Sequence, residues 1–255
     1  MKSLSHILAS IMLLLSVHSY AQIEVPAPKE KEEKAEEEMR VDILPIVYPK
    51  TEVLVYANWS NTNRVLRPNS SNDGLFGEPL GIRENENNLT VWSYGFAFRS
   101  EFNKHLMWQG GISWLRNGET FNYVATDSDS TFAYQTYYNY VAMPLKVFYK
   151  YGNRVRFYGG VGLTPQMFFS YRQEQQWTTI NNNQMDETIK TRNGYNSFVL
   201  SGTLTAGVQL RFNKGTSVFI EPEYRIHLTN SYEAIDSYEH FGRAFGLNMG
   251  FTYPI

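Results

Sequence analysis

The sequence contains no cysteine, which excludes a disulfide framework and a thiolate metal site. It also excludes a lipoprotein, because that lipid anchor is attached to a cysteine at the mature N-terminus. A membrane-spanning helix needs about 20 consecutive apolar residues, and no run downstream of the first residues reaches this length. The mean hydropathy of −0.40 is also far below that of a helical membrane protein. The net charge of −2 gives no electrostatic reason to expect a nucleic-acid partner.

Residues suited to cofactor or metal chemistry are also scarce. Downstream of residue 21 the histidines are His105, His227 and His240, and they lack the spacing of a metal site. The glycines at 159, 160 and 162 lie inside a strand pattern, so they do not form a phosphate-binding loop. We therefore expect no cofactor and no metal, and we predict a non-enzymatic protein.

The N-terminus has the pattern of an export signal. Lys2 is followed by an apolar stretch from Ile7 to Leu15, and Ser19-Tyr20-Ala21 places small residues before Gln22. These features predict a signal peptide over 1–21 that is cleaved after export. Residues 22–50 are rich in charge and lack an apolar stripe, which favours a disordered periplasmic linker over an interaction tail.

From residue 51 onward, the hydrophobic pattern has a period of two. Trp92, Tyr94, Phe96 and Phe98 alternate with small or polar residues, as expected for strands. The run 197–212 is longer than soluble strands of about five or six residues and suits a tilted membrane span. We predict eight strands near 51–60, 89–101, 104–116, 134–150, 154–171, 195–212, 216–228 and 243–254.

The connections between these strands alternate in length. Short turns at 101–104, 151–154 and 213–216 separate longer polar loops at 61–88, 117–133, 172–194 and 229–242. Outer-membrane barrels show this alternation, with short turns in the periplasm. Because a sheet in lipid must close to pair its backbone, residues 51–255 are predicted to form an all-β, closed antiparallel up-and-down transmembrane β-barrel of eight strands in the bacterial outer membrane.

The inward face of this barrel carries both signs of charge. It includes Lys146, Arg156, Gln209, Arg211, Glu221, Glu223 and Arg225, together with Arg99. Acids and bases on neighbouring strands can pair, and an eight-stranded barrel is just wide enough for its side chains to fill. We predict a structural charge network that plugs the interior, with an ion or proton path as the alternative. Pro222 lacks a ladder donor and predicts a bulge or kink.

Several segments resemble the PorT-like bacterial outer-membrane β-barrel family. They are Tyr140–Lys150, with its aliphatic-Pro-Leu core, the glycine-rich Phe157–Gly162, the penultimate strand Phe219–Arg225 and the closing strand Phe245–Tyr253. The chain departs from such barrels at its end, where Tyr253-Pro254-Ile255 stands in place of a terminal aromatic residue. The resemblance implies an outer-membrane location and a small barrel. The family includes secretion-system components and barrels of unknown role.

One motif suggests an enzyme. His227-Leu228-Thr229-Asn230 resembles the His-x-Ser-Asn motif of outer-membrane lipid A deacylases, with Thr229 in place of the nucleophilic serine. Glu233 or Glu239 would then orient the histidine. The match is partial, so a strand end that enters a polar loop is the favoured interpretation.

The favoured function is a structural or partner-binding role in the envelope or in secretion. The barrel would contact outer-membrane lipid and lipopolysaccharide, and an envelope protein through its outer loops or periplasmic tail. A lipid A-modifying hydrolase and a narrow channel or transporter are the alternatives. A soluble lipocalin-like binder is disfavoured, because the outward aromatic faces would promote aggregation in water.

Overall fold

The computed structural model describes residues 51–68, 85–124, 131–178, 183–212, 215–233 and 238–255. The predicted signal peptide and linker lie outside these residues. Ten strands occur in the described part: β1 Thr51–Pro68, β2 Glu86–Glu101, β3 Leu106–Val124, β4 Thr131–Ala142, β5 Leu145–Tyr151, β6 Val155–Thr178, β7 Gln184–Thr191, β8 Phe198–Arg211, β9 Ser217–His227 and β10 Tyr238–Pro254. No helix within this part is long and apolar enough to cross a membrane.

Antiparallel pairing closes the sheet into a ring, since β1 pairs with both β2 and β10. Strands β4 and β5 share one position in the ring, because both lie between β3 and β6. They are separated at Pro144, which has no backbone N–H to donate. Strand β7 lies off the ring and pairs with β6. The predicted closed antiparallel barrel is therefore confirmed. Nine of the ten described strands build its eight positions, and β7 lies outside the ring.

The strands are longer than predicted on the side of the long loops. Strand β3 continues to Val124 and β6 to Thr178, and β7 lies in the segment 172–194 that was predicted to be a loop. These prediction errors have one physical cause. Strands that leave the membrane have water beside them, so they do not need the apolar alternation on which the prediction relied.

The outward surface carries an apolar band with a sharp upper limit. Trp114, Val141 and Met167 are direct cross-strand neighbours on this surface. The next outward row consists of Arg116, Asn139 and Ser170, and Arg116 Nε donates to Asn139 Oδ1 at 3.1 Å. On β3, β4 and β6 the apolar band thus ends between these two rows. We call the part of β3, β4, β6 and β7 beyond the Arg116 row the outer extension.

Glycines admit large rings into the narrow lumen. Tyr56 pairs with Gly95 on one side and with Gly250 on the other. A Cβ atom at Gly95 would lie 2.3 Å from Tyr56 Cζ, and one at Gly207 would lie 2.5 Å from Tyr158 Cζ. Each ring therefore occupies space that the missing side chain leaves on the neighbouring strand.

Pro222 does not insert a bulge. The register of β8 against β9 is the same at Leu204↔Tyr224 and at Val208↔Ile220, on either side of the proline. The pairing is interrupted only at residues 206 and 207, opposite Pro222 and Glu221. The missing donor therefore interrupts the ladder without adding a residue. Of the predicted bulge or kink, the bulge is wrong and the kink stays a prediction.

Candidate functional site

Two layers of charged side chains fill the lumen, and all of these side chains except the partly exposed Glu101 are buried. Glu52 and Glu101 form the periplasmic layer with Arg156, Arg211 and Lys150. Arg211 is ion-paired with Glu52, and Arg156 with Glu101. Lys150 Nζ lies 2.5 Å from Glu101 Oε2 and Arg211 Nη2 lies 3.2 Å from Glu101 Oε1. Each carboxylate therefore has more than one cation beside it, which offsets part of its desolvation.

The central layer lies further into the barrel. Lys146 Nζ is 2.8 Å from Glu221 Oε1 and 2.6 Å from Glu223 Oε2. Arg99 Nη2 donates to Glu221 Oε2 at 2.9 Å, and Arg225 Nη1 donates to Glu223 Oε1 at 3.1 Å. All five side chains are buried. Three strands of the ring, β2, β5 and β9, are thereby joined across the lumen.

Neutral side chains complete the two layers. Gln209 Nε2 donates to Glu52 Oε2 at 2.7 Å, and Gln109 Oε1 accepts from Arg99 Nη2 at 2.6 Å. The Arg99 guanidinium also lies 4.7 Å from the ring centre of Tyr158. A cavity of about 20 Å³ remains beside Glu223 and Arg225, room for about one water molecule. The described lumen is packed with side chains at this level.

All seven interior charges singled out from the sequence lie in these layers. Arg156 and Arg211 belong to the periplasmic layer. The central layer contains Arg99, Lys146, Glu221, Glu223 and Arg225. The sequence reasoning missed Glu52, Glu101 and Lys150. The two-residue period could have found Glu52 and Lys150, since they share the inward faces of Leu54 and Lys146.

A chain of hydrogen bonds continues from Arg225 towards the outer end. Arg225 Nη2 donates to Asn117 Oδ1 at 3.1 Å, so the Asn117 amide group is left to donate to His227 Nε2 at 3.0 Å. The acceptor role of Nε2 places the ring proton of neutral His227 on Nδ1, which lies 2.9 Å from Ser231 Oγ. His227 thus donates to a hydroxyl and does not act as a base towards it.

The proposed deacylase motif does not assemble. His227 is buried, and its two ring nitrogens face Asn117 and Ser231. Thr229 is exposed, and its Oγ1 accepts from the backbone N–H of Leu200 at 2.9 Å. Neither ring nitrogen of His227 therefore forms a hydrogen bond with the Thr229 hydroxyl or with a carboxylate of the hypothesised triad.

A buried carboxyl group lies just outside the apolar band. Tyr138 Oη donates to Glu119 Oε1 at 3.0 Å, and Arg64 Nη1 lies 3.7 Å from the same oxygen. Burial raises the pKa of Glu119 to about 7, against the opposing effects of Arg64 and of the Tyr138 hydroxyl. Glu119 is thus a group at the mouth of the barrel whose charge changes near neutral pH.

Aromatic rings cover the lumen above the charge layers. The ring of Tyr195 is stacked on Phe168 at 4.8 Å and on Tyr171 at 5.4 Å. Tyr138 meets Tyr195 at 5.8 Å, and Tyr232 meets Tyr195 at 5.4 Å. These contacts join β4, β6 and the segments before β8 and after β9 above the central layer.

Known proteins place this architecture in a family. The family model for the outer membrane protein β-barrel domain matches residues 52–253. The chain therefore belongs to the outer-membrane protein β-barrel domain family, and it is an integral protein of the bacterial outer membrane. No curated protein sequence matches the chain significantly.

Several solved outer-membrane barrels are similar at low identity. The attachment invasion locus protein Ail of Yersinia pestis is 14% identical, with a TM-score of 0.33, over 80% of this chain and 99% of that chain. Neisserial surface protein A is 9% identical (TM-score 0.39; 82% and 99%), and OprG of Pseudomonas aeruginosa is 10% identical (TM-score 0.41; 81% and 96%). Similarities at this level carry no conclusion about function.

Proposed function

We propose that this protein is a non-conducting, non-enzymatic outer-membrane barrel that binds a partner through its outer extension. The observation that carries the proposal is the four-stranded sheet of β3, β4, β6 and β7, which continues beyond the Arg116 row. Strand β7 takes no part in closing the barrel. A paired hairpin that the barrel does not need for closure is suited to recognition.

The filled lumen supports a non-conducting role. Salt bridges from β2, β5 and β9 cross its centre, and the cavity beside them has room for about one water molecule. An ion passing through would have to separate buried pairs, which costs several kcal/mol per ion. The charge network is therefore assigned a structural role, as a core that sets the spacing of the strands.

The hydrogen-bond directions support a non-enzymatic role. His227 is committed to Asn117 and Ser231, and Thr229 to the backbone of Leu200. A general base must be within reach of the proton that it removes. His227 and Thr229 do not meet this requirement, so the deacylase alternative has no support from the geometry.

The remaining parts of the proposal rest on the sequence. Residues 1–21 act as a cleaved signal peptide, 22–50 as a periplasmic linker and 51–255 as the barrel domain. The PorT-like segments support placement in that branch of the family, with an envelope or secretion-related role. The barrel would be surrounded by lipid and lipopolysaccharide, and its partner would be an envelope component.

The test shortens the hairpin of β6 and β7. Residues 173–189 are replaced by an Asn-Gly turn in the full-length chain, which leaves the paired residues Arg172 and Lys190 beside the turn. A second variant lacks residues 29–38. A gel mobility shift between unboiled and boiled samples first shows that each variant forms a folded barrel. Both variants and the wild type are then crosslinked in intact cells, and the amount of crosslinked partner is compared. We expect the shortened hairpin to lose the partner and the second variant to retain it. Equal crosslinking by a folded, shortened barrel would refute the proposal.

A further inference from the structure

The outward surface of the outer extension contains a polar pocket of about 150 Å³. Two cross-strand rows of β3, β4 and β6 form it. The residues of the first row are Thr120, Gln135 and Glu174, and those of the second are Asn122, Ala133 and Gln176. Ala133 lies at the centre of the second row, and its small side chain leaves space between the longer polar side chains around it. Ala133 therefore forms the floor of the pocket.

The pocket presents fixed hydrogen-bonding groups. Tyr137 Oη donates to Gln135 Oε1 at 2.9 Å, which orients this carboxamide and leaves its amide group as a donor. Glu174 is ion-paired with Arg172 through Oε1, so its second oxygen remains an acceptor. The side-chain carboxamides of Asn122 and Gln176 make no hydrogen bond within the described part of the chain. They therefore add free donors and acceptors to the pocket.

The register gives the height of this pocket above the membrane. Thr120 and Asn122 lie six and eight residues beyond Trp114, the residue of β3 in the last row of the apolar band. At about 3.3 Å per residue and a strand tilt of about 40°, the pocket lies roughly 15–20 Å above the apolar band. It faces sideways from the barrel, in the layer where the sugars of the outer leaflet are found.

We propose that this pocket binds a neutral saccharide unit through the hydroxyl groups of the sugar. Sugar hydroxyls both donate and accept, and the pocket supplies donors and acceptors in the same small space. Its carboxylate is already paired with Arg172, so the site offers no free charge for an ionic ligand. Its floor is a methyl group, which suits the C–H face of a pyranose ring.

This inference depends on the proposed function, because it takes the outer extension as the binding part of the protein. It adds the chemical class of the ligand and the residues that recognise it. Two sources could supply the sugar: the core oligosaccharide of neighbouring lipopolysaccharide, or a glycan from outside the cell. Both would offer the same hydroxyl chemistry to the pocket.

The test measures binding of two probes to the purified, folded full-length protein. One probe is the core oligosaccharide released from the lipopolysaccharide of the producing cells, and the other is maltoheptaose. The double variant Gln135→Ala, Gln176→Ala should bind the recognised probe about tenfold more weakly, the effect of two lost hydrogen bonds. Ala133→Phe should abolish binding by filling the floor. Lys104→Ala, at an exposed position between β2 and β3 and outside the outer extension, is the control and should bind like the wild type.

Binding of the core oligosaccharide would identify the cell's own envelope as the source, and binding of maltoheptaose would indicate external glycans. Absence of binding to both probes, or equal binding by the double variant and the wild type, would overturn the saccharide site. The proposed function fails separately, if the chain with the shortened hairpin still crosslinks its partner.

Discussion

Arg99 on β2 and Glu221 on β9 meet across the lumen, with Nη2 and Oε2 2.9 Å apart. The two strands are not neighbours in the ring, since β1 and β10 lie between them. Lys146 reaches the other oxygen of Glu221 from β5. A single carboxylate therefore connects two distant sides of the barrel.

Replacement of Glu221 by glutamine should destabilise the barrel by about 3–5 kcal/mol, because it leaves the buried charges of Arg99 and Lys146 incompletely neutralised. The measurement is the urea dependence of folding, followed by gel mobility without boiling. Glu187→Gln, at an exposed position of β7, is the control and should change the stability by less than about 0.5 kcal/mol. A loss no larger than that of the control would contradict a central role for Glu221.

The contact of Tyr56 with Gly95 gives a second prediction. Gly95→Ala would place a Cβ atom 2.3 Å from Tyr56 Cζ, and we expect a loss of about 1–3 kcal/mol from overpacking. Gly159→Ala should be nearly neutral, because its Cβ would meet only Thr205 O, at 3.8 Å. The same unfolding assay compares them. Equal stability of the two variants would show that Tyr56 moves away without cost.

The pKa of Glu119 predicts a dependence of stability on pH. The folded pKa is about 7 and the unfolded value 4.5, so between these values only the folded state retains the proton. Stability should therefore fall as the pH rises through this window, by on the order of 1 kcal/mol per pH unit. Glu119→Gln keeps an acceptor for Tyr138 and should remove this contribution.

Urea midpoints measured at about pH 5 and about pH 8 test this prediction, with the exposed Glu187→Gln variant as the control for other titrating groups. The difference between the two midpoints should shrink for Glu119→Gln and stay unchanged for the control. An unchanged difference in both variants would mean that Glu119 titrates alike in the folded and unfolded states.

The packed lumen predicts that planar bilayers containing the folded protein remain sealed. The Lys146–Glu221 and Lys146–Glu223 pairs lie in the path that an ion would take. The measurement is single-channel recording, with the mobility shift on gels as the check of folding. Steady conductance from wild-type protein would overturn the non-conducting role. Conductance that appears only in Glu221→Ala would instead support the plug.

Thr229 gives a prediction that separates structure from catalysis. Thr229→Ala removes the acceptor of the Leu200 N–H and should cost about 0.5–1.5 kcal/mol. Thr229→Ser retains the hydroxyl and should recover most of this loss. Mass spectra of lipid A from cells that overproduce wild type or variant should be identical. Altered acylation that depends on the Thr229 hydroxyl would restore the hydrolase hypothesis.

The sequence by itself determined that the chain forms a barrel and which residues of each strand face the lipid or the lumen. The period of two in runs such as Trp92–Phe98 sorts residues into lipid-facing and lumen-facing sets, because successive side chains of a strand point to opposite sides. The same parity assigned Lys146, Glu221 and Arg225 to the interior. The alternation of short and long connections predicts which strand ends face the periplasm.

Only the tertiary structure decided which charges meet. Arg99 and Glu221 are 122 residues apart, and their pairing depends on the stagger of all the strands between them, which a two-residue pattern does not encode. The outer extension also escaped prediction. Its outward rows are mostly polar, because they have water and not lipid beside them, so the apolar alternation on which the prediction relied ends before these strands do.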